Sequence, residues 1–174
     1  VTIFDVSLNR LKELDAMYGP RLVTQYSSTA AISAALKHAD LVIGAVLIPG
    51  AAAPKLITKD MLKLMKPGSV IVDVAIDQGG CTETSKATTH EKPTYTVDHI
   101  VHYCVANMPG GVARTSTLAL TNATLPFVLQ LADKGYRKAM EGNKHLRAGL
   151  NIHRGKVTYE AVARDLGYAY TEAI

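Results

Sequence analysis

Short apolar runs alternate with stretches of helical periodicity through the first hundred residues of this chain. Val1 to Phe4 is apolar and β-rich and stops at Asp5. From 7 to 18, Leu8, Leu11, Leu14, Ala16 and Met17 recur at near-helical spacing until Gly19-Pro20 breaks the helix. Arg21 to Tyr26 alternates as a short strand, and Ser28 or Thr29 caps a helix through Ala39 with Ile32, Ala35 and Leu36 inward. Leu41 to Val46 is a continuous apolar run, which predicts a strand buried on both faces. After the Pro49-Gly50 turn, Thr58 caps a short helix around Met61 to Met65. Lys66-Pro67-Gly68 ends it, and Val70 to Val74 is the next strand. This succession predicts an α/β chain built on a doubly wound parallel sheet.

The second half reads differently. Residues 78 to 99 are polar and threonine-rich, which predicts a long functional loop, with strand material at Tyr95 to Val97 and Ile100 to Val105. From Thr115 the pattern is helical through Leu131, with Thr115 or Ser116 as cap, Pro126 bending the helix and Asp133-Lys134-Gly135 closing it. Residues 136 to 149 suggest short helices, 150 to 159 a hairpin about Arg154-Gly155, and 159 to 166 a last helical turn or two.

Composition narrows the classes. The 174 residues suffice for a real core, and 48% hydrophobic with 20% charged residues is ordinary for a soluble globular protein. No apolar stretch approaches the ~20 residues of a membrane span, and Val1 to Asp5 has no signal-peptide character. The formal charge of +4 is scattered, and the basic stretches at 134–138 and 144–154 contain few aromatic residues, which argues against nucleic acid. Cys81 and Cys104 have no CxxC spacing, so a reducing, cytoplasmic setting is expected.

Candidate chemistry sits where apolar runs meet polar residues and glycines. Ligands of open parallel sheets bind at the carboxyl ends of the strands, so Asp77 and Asn107 are expected to project into one crevice. Asp77 is followed by Gly79-Gly80, which allow close ligand approach. Asn107 offers both a donor and an acceptor, but a turn-forming Asn before Met108-Pro109-Gly110-Gly111 explains it too. Asp73 has the character of a structural carboxylate. His90, His99 and His102 invite a metal reading, yet no Cys or carboxylate joins them at ligand spacing. His99 and His102 would face opposite sides of a strand, so packing or surface roles are expected. Cys81 reads as a bystander thiol. Gly110-Gly111 before Thr115 to Thr117 would suit an anion-binding helix start, or a chain reversal between domains.

A dinucleotide fold opens with a strand, a glycine-rich turn and a helix, and its acidic residue follows the glycines by about 20 positions. Asp5 occupies the place of that acidic residue, while no G-x-G-x-x-G occurs. The expectation is therefore a chain that begins at the second strand. Asp5 would bind the adenosine ribose hydroxyls and repel a 2′-phosphate, which predicts NAD over NADP; an ordinary turn Asp is the alternative.

The strings Asp73-Val74-Ala75-Ile76-Asp77-Gln78-Gly79-Gly80-Cys81 and Ala106-Asn107-Met108-Pro109, continuing through Arg114-Thr115-Ser116-Thr117-Leu118-Ala119-Leu120-Thr121-Asn122-Ala123-Thr124-Leu125-Pro126, resemble the NAD-binding half of alanine dehydrogenases. The resemblance runs from Asp5 to about Tyr168. It implies a partial NAD-binding domain over 1–108 and a helical return segment over 109–174 that packs on an N-terminal substrate domain. It implies the cofactor NAD, the substrate pair L-alanine and pyruvate, and a homo-oligomer, commonly hexameric. Cofactor contacts are implied at Asp5, Arg10, Ser27, Val46, Leu47, Val74, Ala75, Ile76, Asp77, Val105, Ala106, Asn107 and Met108. Arg10 is equally a solvent-facing helix residue, Ser27 equally a helix cap, and Val46-Leu47 equally core. Asp77 is the implied catalytic residue, orienting water and stabilising a cationic imine. Two other readings stand beside this one: the NAD(H)-binding subunit of a proton-translocating transhydrogenase, and a non-catalytic nucleotide-binding or oligomerisation module.

Overall fold

Two serines start the first two helices of the computed structural model, which describes residues 1–173. Ser7 accepts the Arg10 backbone N–H on Oγ at 3.3 Å, and α1 runs over Leu8–Tyr18. Ser28 does the same for Ala31 at 3.2 Å, and α2 runs over Thr29–Leu36. Each cap satisfies one of the first-turn donors that a helix leaves without an internal partner. The strands preceding these helices, β1 (Thr2–Asp5) and β2 (Val23–Tyr26), pair in parallel from Thr2↔Val23 to Asp5↔Tyr26.

A second sheet holds β3 (Leu41–Gly44), β4 (Val70–Asp73), β5 (Thr94–Val97) and β6 (Ile100–Tyr103) in the order β3-β4-β6-β5. Its first three strands are parallel, with Gly44 opposite Asp73 and Val72 opposite Tyr103. β5 joins antiparallel to β6 through Asp98 and His99, both left-handed at φ 49° and 65°. Such a turn matches the twist of the flanking strands. His99 thus sits in the turn, not on a strand as its spacing suggested, and only His102 lies on β6.

The core of this unit gathers Leu36, Ile57, Met61, Leu62, Met65, Ile71 and Ile100, with Ile32 and Val42 packed against it. Met61 and Leu62 come from a 3₁₀ turn over Asp60–Leu64, where Thr58 Oγ1 accepts the Met61 N–H at 3.3 Å. β3 is not buried on both faces as its apolar run predicted. Leu41 and Ile43 are 55% and 62% exposed. The reason is position: β3 is an edge strand of its sheet, and the face bearing its odd-numbered side chains is uncovered. On α1 only Leu11 is buried, while Leu8 and Met17 face outward.

The chain divides into two compact units, Val1–Val46 with Pro54–Ala106, and Leu47–Ala53 with the residues from Asn107 onward. In the second, α3 spans Ala113–Gly142 and is interrupted at Gly135, whose φ of 69° and ψ of 156° place the break where Asp133-Lys134-Gly135 predicts the stop. Pro126 lies inside the helix. Neither Thr115 nor Ser116 caps it; Val112 holds that position and Ser116 Oγ donates to Pro109 O at 2.9 Å. Asn143 caps α4 (Lys144–Ala148), accepting from the N–H groups of His145 and Leu146. β7 (Ile152–His153) and β8 (Lys156–Val157) form the expected hairpin about Arg154-Gly155, and α5 covers Glu160–Leu166. The Asp165 carboxylate accepts the Ala52 N–H at 2.8 Å, which ties Leu47–Ala53 into this unit and lowers the Asp165 pKa. Among the described residues no helix is long and apolar enough to cross a membrane.

Candidate nucleotide site

Asp73 ends β4 wholly buried, and a buried carboxylate costs several kcal/mol unless donors surround it. Here they do. Oδ2 accepts the N–H groups of Cys81 at 2.8 Å and Thr82 at 3.3 Å and the Ser85 hydroxyl at 2.5 Å, and Oδ1 receives the Cys81 thiol at 3.5 Å. These bonds fold residues 80–85 back onto the strand end. Gly80 makes the approach possible: its φ is 76°, and a Cβ there would lie 2.7 Å from Asp73 Oδ2. A Cβ on Gly44, opposite Asp73 on β3, would collide with Cys81 Sγ. Burial first, then the Asp73 charge, pushes the Cys81 thiol up to about 12, so it remains a protonated packing group.

Between β4 and this anchored loop, Val74–Gln78 forms a 3₁₀ stretch closed by Gly79 at φ 85°. The strand stops one residue before the predicted Val74, and Asp77 rides on the turn that follows it. Ala75 and Ile76 are buried, leaving only their backbone to meet a ligand, whereas Val74 and Asp77 are exposed. The Asp77 carboxylate makes no hydrogen bond or ion pair among the described residues, although its neighbours on the turn are firmly held.

The neighbouring parallel strand β6 ends at Tyr103, two residues short of the expected Val105; just beyond it Cys104 and Val105 are wholly buried and Ala106 is exposed. Thr88 fixes this segment, donating its N–H to Cys104 O at 2.9 Å and accepting the Ala106 N–H at 3.2 Å. Val46 is half-buried and Leu47 exposed. Asn107 is left-handed (φ 57°, ψ 51°), and its carbonyl accepts the Gly110 N–H at 2.9 Å. That is the turn-forming role anticipated as its alternative. Asn107 and Met108 open the second unit, and Asp77 belongs to the first.

At the end of β1, Asp5 Oδ1 accepts the Ser7 N–H at 2.7 Å, and its other oxygen is unbonded among the described residues. Arg10 on α1 pairs with Glu13 at 2.9 Å in an exposed i,i+3 contact. Ser27 does not cap α2, since Ser28 does. The Ser27 N–H donates to Asp5 O at 3.0 Å.

His102 is buried within a polar network that the sequence did not announce. Its Nδ1 lies 2.9 Å from Ile100 O, which can only accept, so Nδ1 carries a proton; Nε2 lies 2.8 Å from Thr84 Oγ1. Tyr95 stacks on the imidazole at 5.1 Å between centroids and donates to Thr84 O at 2.8 Å. Among the described residues no cluster of three or more His, Cys, Asp or Glu side chains is placed to hold a metal.

Residues 1–160 match the family model described as "Alanine dehydrogenase/PNT, C-terminal domain". The alanine dehydrogenase of Halomonas elongata is 65% identical over 173 residues, 99% of this chain and 47% of that protein. That of Bacillus subtilis is 59% identical over 174 residues, 99% of this chain and 46% of that protein. A solved L-alanine dehydrogenase superposes with a TM-score of 0.82 at 47% identity, covering 96% of this chain and 46% of that one. A transhydrogenase from Sinorhizobium meliloti gives 0.69 at 25% identity, over 92% of this chain and 42% of the other. The chain spans about half the length of the curated relatives it matches. This chain belongs to the family of alanine dehydrogenase/PNT C-terminal domains.

Proposed function

We propose that this chain is the cofactor-binding half of an NAD-dependent L-alanine dehydrogenase, in which Asp77 is the catalytic carboxylate. The observation carrying this reading is an exposed, unpaired carboxylate on a turn anchored at the carboxyl end of parallel β4. The family relationship and the alanine dehydrogenases that match nearly the whole chain support it.

The residues present suit NAD. Asp5 keeps one carboxylate oxygen available for ribose hydroxyls, and its charge opposes a 2′-phosphate. Ser27, freed from capping and bonded through its N–H to the Asp5 carbonyl, and Arg10 in the first turn of α1 suit the adenosine end. Backbone at Val46, Val74, Ala75, Ile76, Val105 and Ala106, all in the first unit, would line the path toward Asp77. Asn107 would present its amide to substrate or carboxamide.

Bound NAD would supply the hydride acceptor for oxidation at the alanine α-carbon. Asp77 stabilises the cationic imine left behind and orients the water that adds to it, giving pyruvate and ammonia. The relatives' N-terminal halves, which this chain does not match, would supply the substrate domain, its catalytic histidine and the groups that hold the substrate carboxylate. Exposed apolar residues on α3, among them Leu118, Leu120, Phe127 and Leu129, suit packing on that domain or in a homo-oligomer, hexameric by family resemblance and cytoplasmic. Taken alone, this chain would be inactive.

The test is spectrophotometric. The complete enzyme, offered NAD with L-alanine or with other amino acids, should reduce NAD with alanine preferred, and this chain alone should not. Transfer of hydride between nucleotides without alanine oxidation would favour the transhydrogenase; NAD binding without turnover would favour a binding module.

A further inference from the structure

The Gly79-Gly80 turn that follows Asp77 is gripped from a side the chemistry above leaves unused. Lys55 Nζ donates to Gly79 O at 2.5 Å and to Gly80 O at 2.7 Å. Both glycines are left-handed, at φ 85° and 76°, and their carbonyls lie at the end of the 3₁₀ stretch bearing Asp77. A cation is favoured at such a carbonyl-rich end. The Lys55 backbone is set beside this turn by its neighbours. Leu56 and Ile57 donate N–H groups to Cys81 O at 2.7 and 3.3 Å, and Glu83 donates to Ile57 O at 2.9 Å.

Two opposite charges therefore divide the loop between them. Asp73 collects N–H groups at Cys81 and Thr82, and Lys55 collects the carbonyls of Gly79 and Gly80. Asp73 is wholly buried. Lys55 is exposed; its contact with Gly79 O is open to water and that with Gly80 O is part-buried, so its removal exposes one carbonyl to solvent and strains the other. We propose that Lys55 is a positioning residue for Asp77, holding the two peptide groups beyond it so that the carboxylate keeps one orientation toward the reacting atoms. This rests on the alanine dehydrogenase reading. A carboxylate displaced by about 1 Å costs on the order of a hundredfold in rate.

Lys55→Met, Lys55→Arg, Asp77→Asn and the double variant Lys55→Met/Asp77→Asn in the complete enzyme test the assignment. Steady-state alanine oxidation, NADH affinity by fluorescence and amide exchange over 76–82 would be read. Lys55→Met should lower kcat by about tenfold to a hundredfold, leave NADH affinity within about twofold and speed exchange over 79–82. Lys55→Arg, which keeps two donors for the same carbonyls, should restore most of the rate. In the Asp77→Asn background, removing Lys55 should cost nothing further. Wild-type turnover in Lys55→Met, or an equal loss in both backgrounds, overturns the assignment while leaving the functional reading intact. An inactive wild type with alanine overturns both, and the exchange data then report only whether the tether exists.

Discussion

Asp73 Oδ2 and the Cys81 backbone N–H lie 2.8 Å apart, joining the buried end of β4 to the loop that returns past Asp77. Because the same oxygen also takes the Thr82 N–H and the Ser85 hydroxyl, its replacement cannot be neutral. Asp73→Asn keeps the volume and can leave a carbonyl oxygen facing the three donors, but it removes the charge that strengthens those bonds and sets an NH₂ group against the Cys81 thiol. The expected loss is about 2–4 kcal/mol of stability, read as a lower urea midpoint at unchanged slope. A midpoint equal to wild type would show that the loop does not depend on this carboxylate.

Gly44 and Cys81 should be energetically coupled. Gly44→Ala forces a Cβ into Cys81 Sγ and should cost about 1–3 kcal/mol. Cys81→Ala removes the obstructing atom, so the double variant should be more stable than the sum of the two single changes. Simple additivity in a double-mutant cycle would contradict the packing described.

The thiol of Cys81 makes stability pH-dependent in a definite direction. Its ordinary value of 9.0 is raised in the fold to about 12. The folded state therefore holds its proton more tightly than the unfolded state. This contribution is fully present below about pH 9 and is lost as pH rises toward about 12. Urea midpoints measured from pH 8 upward should fall more steeply for the wild type than for Cys81→Ala. Equal slopes would remove Cys81 from the account.

Cofactor choice should follow Asp5. Exchanging it for serine removes the charge that opposes a 2′-phosphate and keeps a hydroxyl for the turn. The ratio of kcat/KM for NAD to that for NADP in the complete enzyme should drop by about tenfold or more. An unchanged ratio would return Asp5 to the role of an ordinary turn residue.

Local chemistry was legible in the sequence wherever one residue type decides it. Ser28 caps its helix, the Arg154-Gly155 hairpin forms where expected, and the long helix breaks at Gly135. Burial was less legible, because an apolar run reports affinity for a core and not whether one is present. Leu41 and Ile43 read as two-sided core, yet β3 is an edge strand. His99 was misplaced because periodicity cannot see that Asp98 and His99 adopt left-handed conformations.

Around the site, Asp73 and Asp77 were separable by position alone: one inside the strand, one after it. Lys55 left no trace in the pattern, since its partners are backbone carbonyls 24 and 25 residues away and backbone carries no residue identity. The His102–Thr84–Tyr95 network was equally silent. Its members are spread over a loop and two strands that meet only once the β5–β6 hairpin is formed.

The most direct test is where the nicotinamide ring lies in crystals of the complete enzyme grown with NADH. The alanine dehydrogenase reading predicts the Asp77 carboxylate beside that ring and Asp5 on the adenosine ribose. A ring seated elsewhere, with Asp77 turned to solvent, would contradict it.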